Sequence, residues 1–178
     1  VHLRNVQMNW GVQRFFAQTP DGSPIGMTGP ATLRYVSFLK RRALHVVDPL
    51  TGKTLWIRHD IDPGSEVFGD DEHLYVALPN SDRTLVLRAT DGEQVKVVKL
   101  PKSEERVMAL GRNLLSWRFE GRFAHLALQD MFTEKVLWKH ELSSGSRLWP
   151  ISHDEVGVMD RKGDFKVVAV ADGAIKLE

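Results

Sequence analysis

The side chains best suited to chemistry are scattered through this sequence. Histidines stand at positions 2, 45, 59, 73, 125, 140 and 153, with neither the H-x-H nor the H-E-x-x-H spacing that brings two imidazoles onto one metal ion. His45 and His125 fall at alternating positions of apolar runs, which predicts residues lining a sheet face rather than ligands. Asp60 with Asp62, and Asp70-Asp71-Glu72, offer carboxylates for calcium. Neither run has the glycine and ligand spacing of a calcium loop, so both read as solvated turn carboxylates. The G-x-S-x-G, G-x-x-x-x-G-K-S/T and G-x-G-x-x-G patterns are absent, and Thr51-Gly52-Lys53 lacks the preceding glycine of a phosphate loop. With no cysteine, thiolate metal sites, disulfides and a cysteine nucleophile are excluded. Serine, histidine and aspartate are plentiful, but no spacing nominates a triad. The residues therefore predict no catalytic, metal or cofactor site.

One pattern points elsewhere. Lys40-Arg41-Arg42, Arg83, Arg118 with Arg122, and Arg161-Lys162 recur along the chain. Guanidinium groups bind carboxylate and phosphate in a bidentate fork, so a rim of them suits an anionic ligand or an acidic partner segment. The plainer reading is that Lys and Arg keep hairpin tips and sheet edges soluble. A shared function requires the fold to place these residues on one face.

Composition bounds the rest. The 178 residues carry 24 Lys plus Arg against 23 Asp plus Glu, a net charge of +1, and 42% are hydrophobic. That balance argues against a general nucleic-acid binder, which carries a clear basic excess. No apolar run approaches the roughly 20 residues of a membrane-spanning helix, and no signal-peptide pattern opens the chain. The first residue is Val1 rather than Met, which suggests a piece of something longer, and Leu177-Glu178 reads equally as native sequence or as a cloning remnant.

The positioning elements emerge from internal repetition. Leu44-His45-Val46-Val47, Leu85-Val86-Leu87-Arg88, Leu126-Ala127-Leu128-Gln129 and Val167-Val168-Ala169-Val170 follow one another at intervals of 41 positions. Each precedes a turn and a further apolar strand, as in Thr51-Gly52-Lys53 before Thr54-Leu55-Trp56-Ile57. Leu33, Leu74, Leu114 and Val156 open another short strand in each unit. First strands are marked more weakly around Glu66 to Phe68, Val107 to Leu110 and Leu148 to Ile151. Nothing sustains a 3.6-residue apolar period. Four short strands per unit of about 40 residues is the period of a propeller blade, so the sequence predicts an all-β array of about four four-stranded antiparallel blades, an incomplete ring. The expected divisions are a strand or blade remnant over 1–24, blades over 25–64, 65–106 and 107–146, and a partial blade over 147–178, all one domain. By this logic the basic residues named above share the turns between second and third strands.

The run from Asp48 through Gly52 to Trp56 resembles the D-x-x-T-G-K-x-x-W element of the PQQ-like β-propeller repeat family. Asp130 to Trp138 is similar, with Glu134 in place of the glycine. The resemblance implies that the element forms the hairpin between third and fourth strands and that each Trp docks one blade on its neighbour. It also implies the extracytoplasmic side of a bacterial cell.

These readings converge on a non-enzymatic scaffold binding a protein or polymer through its loop face. The alternatives are a fragment of a quinoprotein dehydrogenase, holding pyrroloquinoline quinone with calcium, and a sensory or regulatory domain of a larger protein. An open arc exposes apolar blade faces, one of them Trp-bearing, and these predict self-association.

Overall fold

The computed structural model describes residues 17–18, 24–25, 28–40, 42–79 and 81–177. Apart from a two-stranded pair, β1 (Ala17–Gln18) and β2 (Pro24–Ile25), it consists of four antiparallel sheets of four strands. Each sheet is a meander joined by tight turns. The first holds β3 (Thr28–Ala31), β4 (Val36–Lys40), β5 (Ala43–Val47) and β6 (Thr54–Arg58), and the second β7 (Glu66–Gly69), β8 (His73–Ala77), β9 (Arg83–Arg88) and β10 (Gln94–Lys99). The third holds β11 (Arg106–Leu110), β12 (Asn113–Glu120), β13 (Phe123–Asp130) and β14 (Lys135–Ser143), and the fourth β15 (Arg147–Pro150), β16 (Glu155–Met159), β17 (Phe165–Ala169) and β18 (Ile175–Leu177). The fourth sheet thus has all four strands, with a short outer one.

The central strands are nearly continuous in Val, Leu and Tyr because both of their faces are buried. Side chains alternate between faces along a strand. In β8, Leu74 and Val76 pack with Tyr35, Leu44 and Val46 of the first sheet, while Tyr75 and Ala77 pack with Leu114 of the third. Leu115, Leu126 and Leu128 continue the stack onto Val156, Val158 and Val168 of the fourth. Hydrophobic clusters therefore join the first sheet to the second, the second to the third and the third to the fourth. None of the three joins the fourth to the first.

A second, polar device locks adjacent sheets. Every outer strand carries a register shift at the same point, just before Trp56 opposite Val46, Lys96 opposite Val86, Trp138 opposite Leu128 and Leu177 opposite Val167; in the first three sheets that residue turns toward the next sheet. Such irregularities re-aim a side chain. The Trp56 indole N–H donates to the Ala89 carbonyl at 2.8 Å, and Arg58, two residues on, donates to the Gly92 carbonyl at 3.2 Å. Trp138 repeats this on the Val170 carbonyl at 2.9 Å, and His140 Nε2 lies 2.6 Å from the Gly173 carbonyl. Lys96 takes the same role between the second and third sheets. Its Nζ donates to the Phe132 carbonyl and stands 4.2 Å from the centre of that ring. Both indoles are thus covered by a neighbour. The expectation of an exposed Trp-bearing face is corrected here: what the arc leaves open lies at other residues.

Candidate functional site

In a four-stranded meander the second-to-third turns open on one face, and the first-to-second and third-to-fourth turns on the other. The first of these faces carries the basic residues singled out in the sequence. Arg42 lies in the β4–β5 turn, exposed, 3.5 Å from Asp62; Arg41 falls outside the described residues. Arg83 opens β9, its backbone N–H held by Ser81 Oγ at 3.0 Å. Arg118 stands on β12, 3.5 Å from Glu120, and Arg122 follows Gly121 in the β12–β13 turn. Lys162 sits in the β16–β17 turn, its N–H on Asp160 Oδ1 at 2.7 Å, and the Arg161 side chain lies against Gly145, ahead of β15. Topology thus groups the set. Asp62, Asp82, Glu120 and Asp160 are interspersed with it, so the face is a mixed rim of exposed, weakly held ion pairs.

The feature of this face that sequence reasoning passed over is the β12–β13 hairpin. Its two strands are eight residues each, against five or six for the corresponding strands of the other sheets. The tip runs Phe119-Glu120-Gly121-Arg122-Phe123, with Gly121 at φ 60°, the left-handed conformation a tight turn requires. Phe119 is 58% exposed and meets Trp117 edge-on at 5.7 Å; Phe123 is 46% exposed. The register sets Phe119 with Trp117 and Ala124 on one side of the hairpin and Phe123 with Arg118, Glu120 and His125 on the other. On the Phe123 side His125 is buried, its Nε2 3.6 Å from Glu120 and its Nδ1 without a hydrogen-bond partner. The signal was present in the two phenylalanines either side of the glycine, but only the arginines were read.

The opposite face is built of carboxylates that serve their own turns. Asp48 Oδ1 accepts from the Thr51 N–H and hydroxyl and from the Leu50 N–H, and these bonds hold its carboxyl below the ordinary range. In the third sheet burial alone would raise the Asp130 carboxyl, but the Thr133 and Phe132 N–H groups and the Arg112 guanidinium at 2.8 Å outweigh it and hold it low. Asp70 Oδ1 likewise caps Glu72 and His73; Asp60, past the end of β6 and so on the first face, is paired with Arg58 at 2.7 Å. Among the described residues no three His, Asp or Glu side chains are grouped to hold a metal ion.

The innermost strands offer few donors for a calcium–quinone pair. Among β3, β7, β11 and β15, Glu66 is the sole carboxylate, and it is buried against Arg106, whose Nη1 lies 2.8 Å away, and against Ser103 Oγ at 2.8 Å. On these strands the donor set does not fit the group.

Comparison with solved structures agrees with the stacked sheets. The N-terminal domain of Nup159 aligns over 85% of this chain and 42% of its own, with a TM-score of 0.50 and 12% identity. BamB from Moraxella catarrhalis aligns over 85% and 62%, at 0.41 and 15%. The dihydro-heme d1 dehydrogenase NirN, in complex with DHE, aligns over 87% and 38%, at 0.48 and 14%. Over the described residues the fold is that of a β-propeller, its four sheets forming an arc rather than a closed ring. At these identities the likeness is one of fold, and the chain spans less than two thirds of each of the three. No family model matches the chain, and no curated protein matches it in sequence.

Proposed function

We propose that this chain is a non-catalytic propeller scaffold, working without a bound cofactor, that holds an acidic protein segment on the face of its second-to-third turns. The observation that carries this reading is the β12–β13 tip, where a solvent-exposed phenylalanine stands on each side of the hairpin and Arg118 shares the side of Phe123. Aromatic and Arg side chains dominate the energetics of protein interfaces because they bury large area at small entropic cost. The rim of Arg42, Arg83, Arg161 and Lys162 adds long-range attraction for negative charge, which fixes orientation and on-rate more than affinity.

An array of acidic peptides with embedded leucine or phenylalanine tests this directly. Phe119→Ser with Phe123→Ser is expected to weaken the best binder at least tenfold, about 1.4 kcal/mol. Replacing Arg41, Arg42, Arg118 and Arg122 with Ser is expected to weaken it further and to flatten its salt dependence. Binding that survives both sets unchanged contradicts the reading, as does an array without a binder.

A further inference from the structure

β12 outruns its inner neighbour. β11 pairs with it only as far as Arg106 opposite Ser116, and beyond that point Trp117–Glu120 is paired with β13 on one side only. In the second and fourth sheets the inner strand reaches the last residue of the strand beside it, Glu66 opposite Ala77 and Arg147 opposite Met159. The chain entering β11 turns aside instead of running on along β12. It coils as a 3-10 helix over Ser103–Glu105, with the Ser103 hydroxyl donating to Glu66 of the second sheet at 2.8 Å and Arg106 Nε donating to the Pro101 carbonyl at 2.7 Å. The third sheet is packed between two complete sheets, so this open edge is a property of the sheet itself.

Hairpin geometry fixes which backbone groups stand on that edge. Glu120 and Phe123 flank the two-residue turn Gly121-Arg122 and so exchange N–H and C=O with each other. Bonding alternates along an antiparallel strand, so Arg118 also faces β13, while Trp117 and Phe119 aim their N–H and C=O at the side β11 has left. The Met131 N–H on the Arg112 carbonyl at 2.8 Å keeps the same parity at the other end of the strand pair. Among the described residues no turn or loop bond reaches the Phe119 backbone. Side chains sort by the same alternation. Trp117 packs toward the fourth sheet and meets Phe119 edge-on, whereas Arg118 stands on the opposite side with Glu120.

We infer that an extended segment of a partner protein adds itself as a short antiparallel strand beside the end of β12, in the line that β11 leaves vacant. This rests on the reading of the β12–β13 tip as a site for an acidic segment and gives that segment a conformation. An unpaired strand edge is a template for another extended chain, which commits the site to a peptide rather than to a free anion. In strand addition main-chain bonds supply affinity and alternate side chains supply specificity. The partner residue opposite Phe119 exchanges both backbone bonds with it and lays its own side chain on the aromatic side, so it is apolar. The next residue falls opposite Arg118 and is acidic; the one before falls opposite Glu120 and is not.

The labelled, acetylated peptide Gln-Phe-Glu-Leu-Glu is the probe, with anisotropy reading affinity and NMR amide exchange reading contact. N-methylation of its Phe and Leu removes the N–H groups that face β12 and is expected to weaken binding at least about tenfold. N-methylation of its two Glu, whose N–H groups point away, is expected to leave affinity within about twofold. The same residues ordered Glu-Glu-Phe-Leu-Gln lose the alternation and are expected to bind about tenfold more weakly. Exchange of the Phe119 amide is expected to slow at least about tenfold under saturating probe, while the Arg118 and Glu120 amides, already bonded to β13, change little. Equal tolerance of both methylated forms, or unchanged exchange at Phe119, overturns the strand addition and leaves the acidic-segment reading standing. So does failure of the probe where other acidic peptides bind. A chain that binds no acidic peptide overturns both.

Discussion

Trp138→Ala is expected to lower the unfolding free energy by about 3–5 kcal/mol, read from urea denaturation. The indole lies on Gly173 of the fourth sheet, packs beside Leu128 and Val168, and satisfies the Val170 carbonyl. Removing it combines lost apolar transfer, a cavity that rigid strands cannot collapse, and a carbonyl without its donor. Trp138→Phe keeps an aromatic ring on Gly173 but loses the N–H and the pyrrole half of the indole; its expected cost is about 1–2 kcal/mol, below that of the alanine change. Because each sheet touches only its neighbours, the damage should be local. Hydrogen exchange in β15–β18 is expected to accelerate before exchange in β3–β6. A loss below about 1 kcal/mol would mean that the indole is ornamental to the stack.

The second large effect is expected at Arg106. Its guanidinium is buried with the Glu66 carboxylate, and its Nε donates to the Pro101 carbonyl at 2.7 Å, so it ties the second sheet, the connecting segment and the third sheet together. Arg106→Met leaves a buried carboxylate without its cation, at a cost of about 3–5 kcal/mol. The paired change Glu66→Gln with Arg106→Met removes both charges and should recover most of that loss, because a buried pair adds little net stability once its desolvation is counted. Equal losses in the single and double variants would contradict this. The distinction matters: the pair makes registration of the two innermost strands sensitive to charge, where the clusters around them are only apolar.

The period of 41 residues was readable because each central strand must bury two faces, which imposes Val and Leu at fixed places such as Leu44, Leu85 and Leu126. The Asp48-to-Trp56 and Asp130-to-Trp138 runs announced their turns for an equally local reason, a carboxylate capping the N–H groups that follow it. The Glu66–Arg106 pair was not legible, since its partners lie 40 positions apart on the most weakly marked strands. Glu134 looked like a defect in the motif. Its meaning depends on Lys96, in the preceding outer strand, and a single copy of the motif cannot display a rule that holds between two. Phe119 and Phe123 were overlooked because nothing in their alternation distinguishes a strand end that continues into a core from one that projects into solvent.

The claim on which the rest stands is that an outer-strand side chain and the next sheet's turn residue are matched as plug and socket. A Cβ added at Gly92 or Gly173 would lie 2.7 Å from the Trp56 or Trp138 ring, and where Lys96 replaces the indole the turn carries Glu134, whose carboxylate accepts the Lys99 N–H at 2.8 Å. A double-mutant cycle of Lys96→Trp and Glu134→Gly measures it where the chain does not already use the pair. The indole alone meets the Glu134 Cβ, and glycine alone loses the carboxylate contact to Lys99, so neither single change is expected to stabilise. Together they are expected to be more stable than their sum by at least about 1 kcal/mol in urea unfolding. Additivity within about 0.5 kcal/mol would show that Gly92 and Gly173 are glycine for their turns alone.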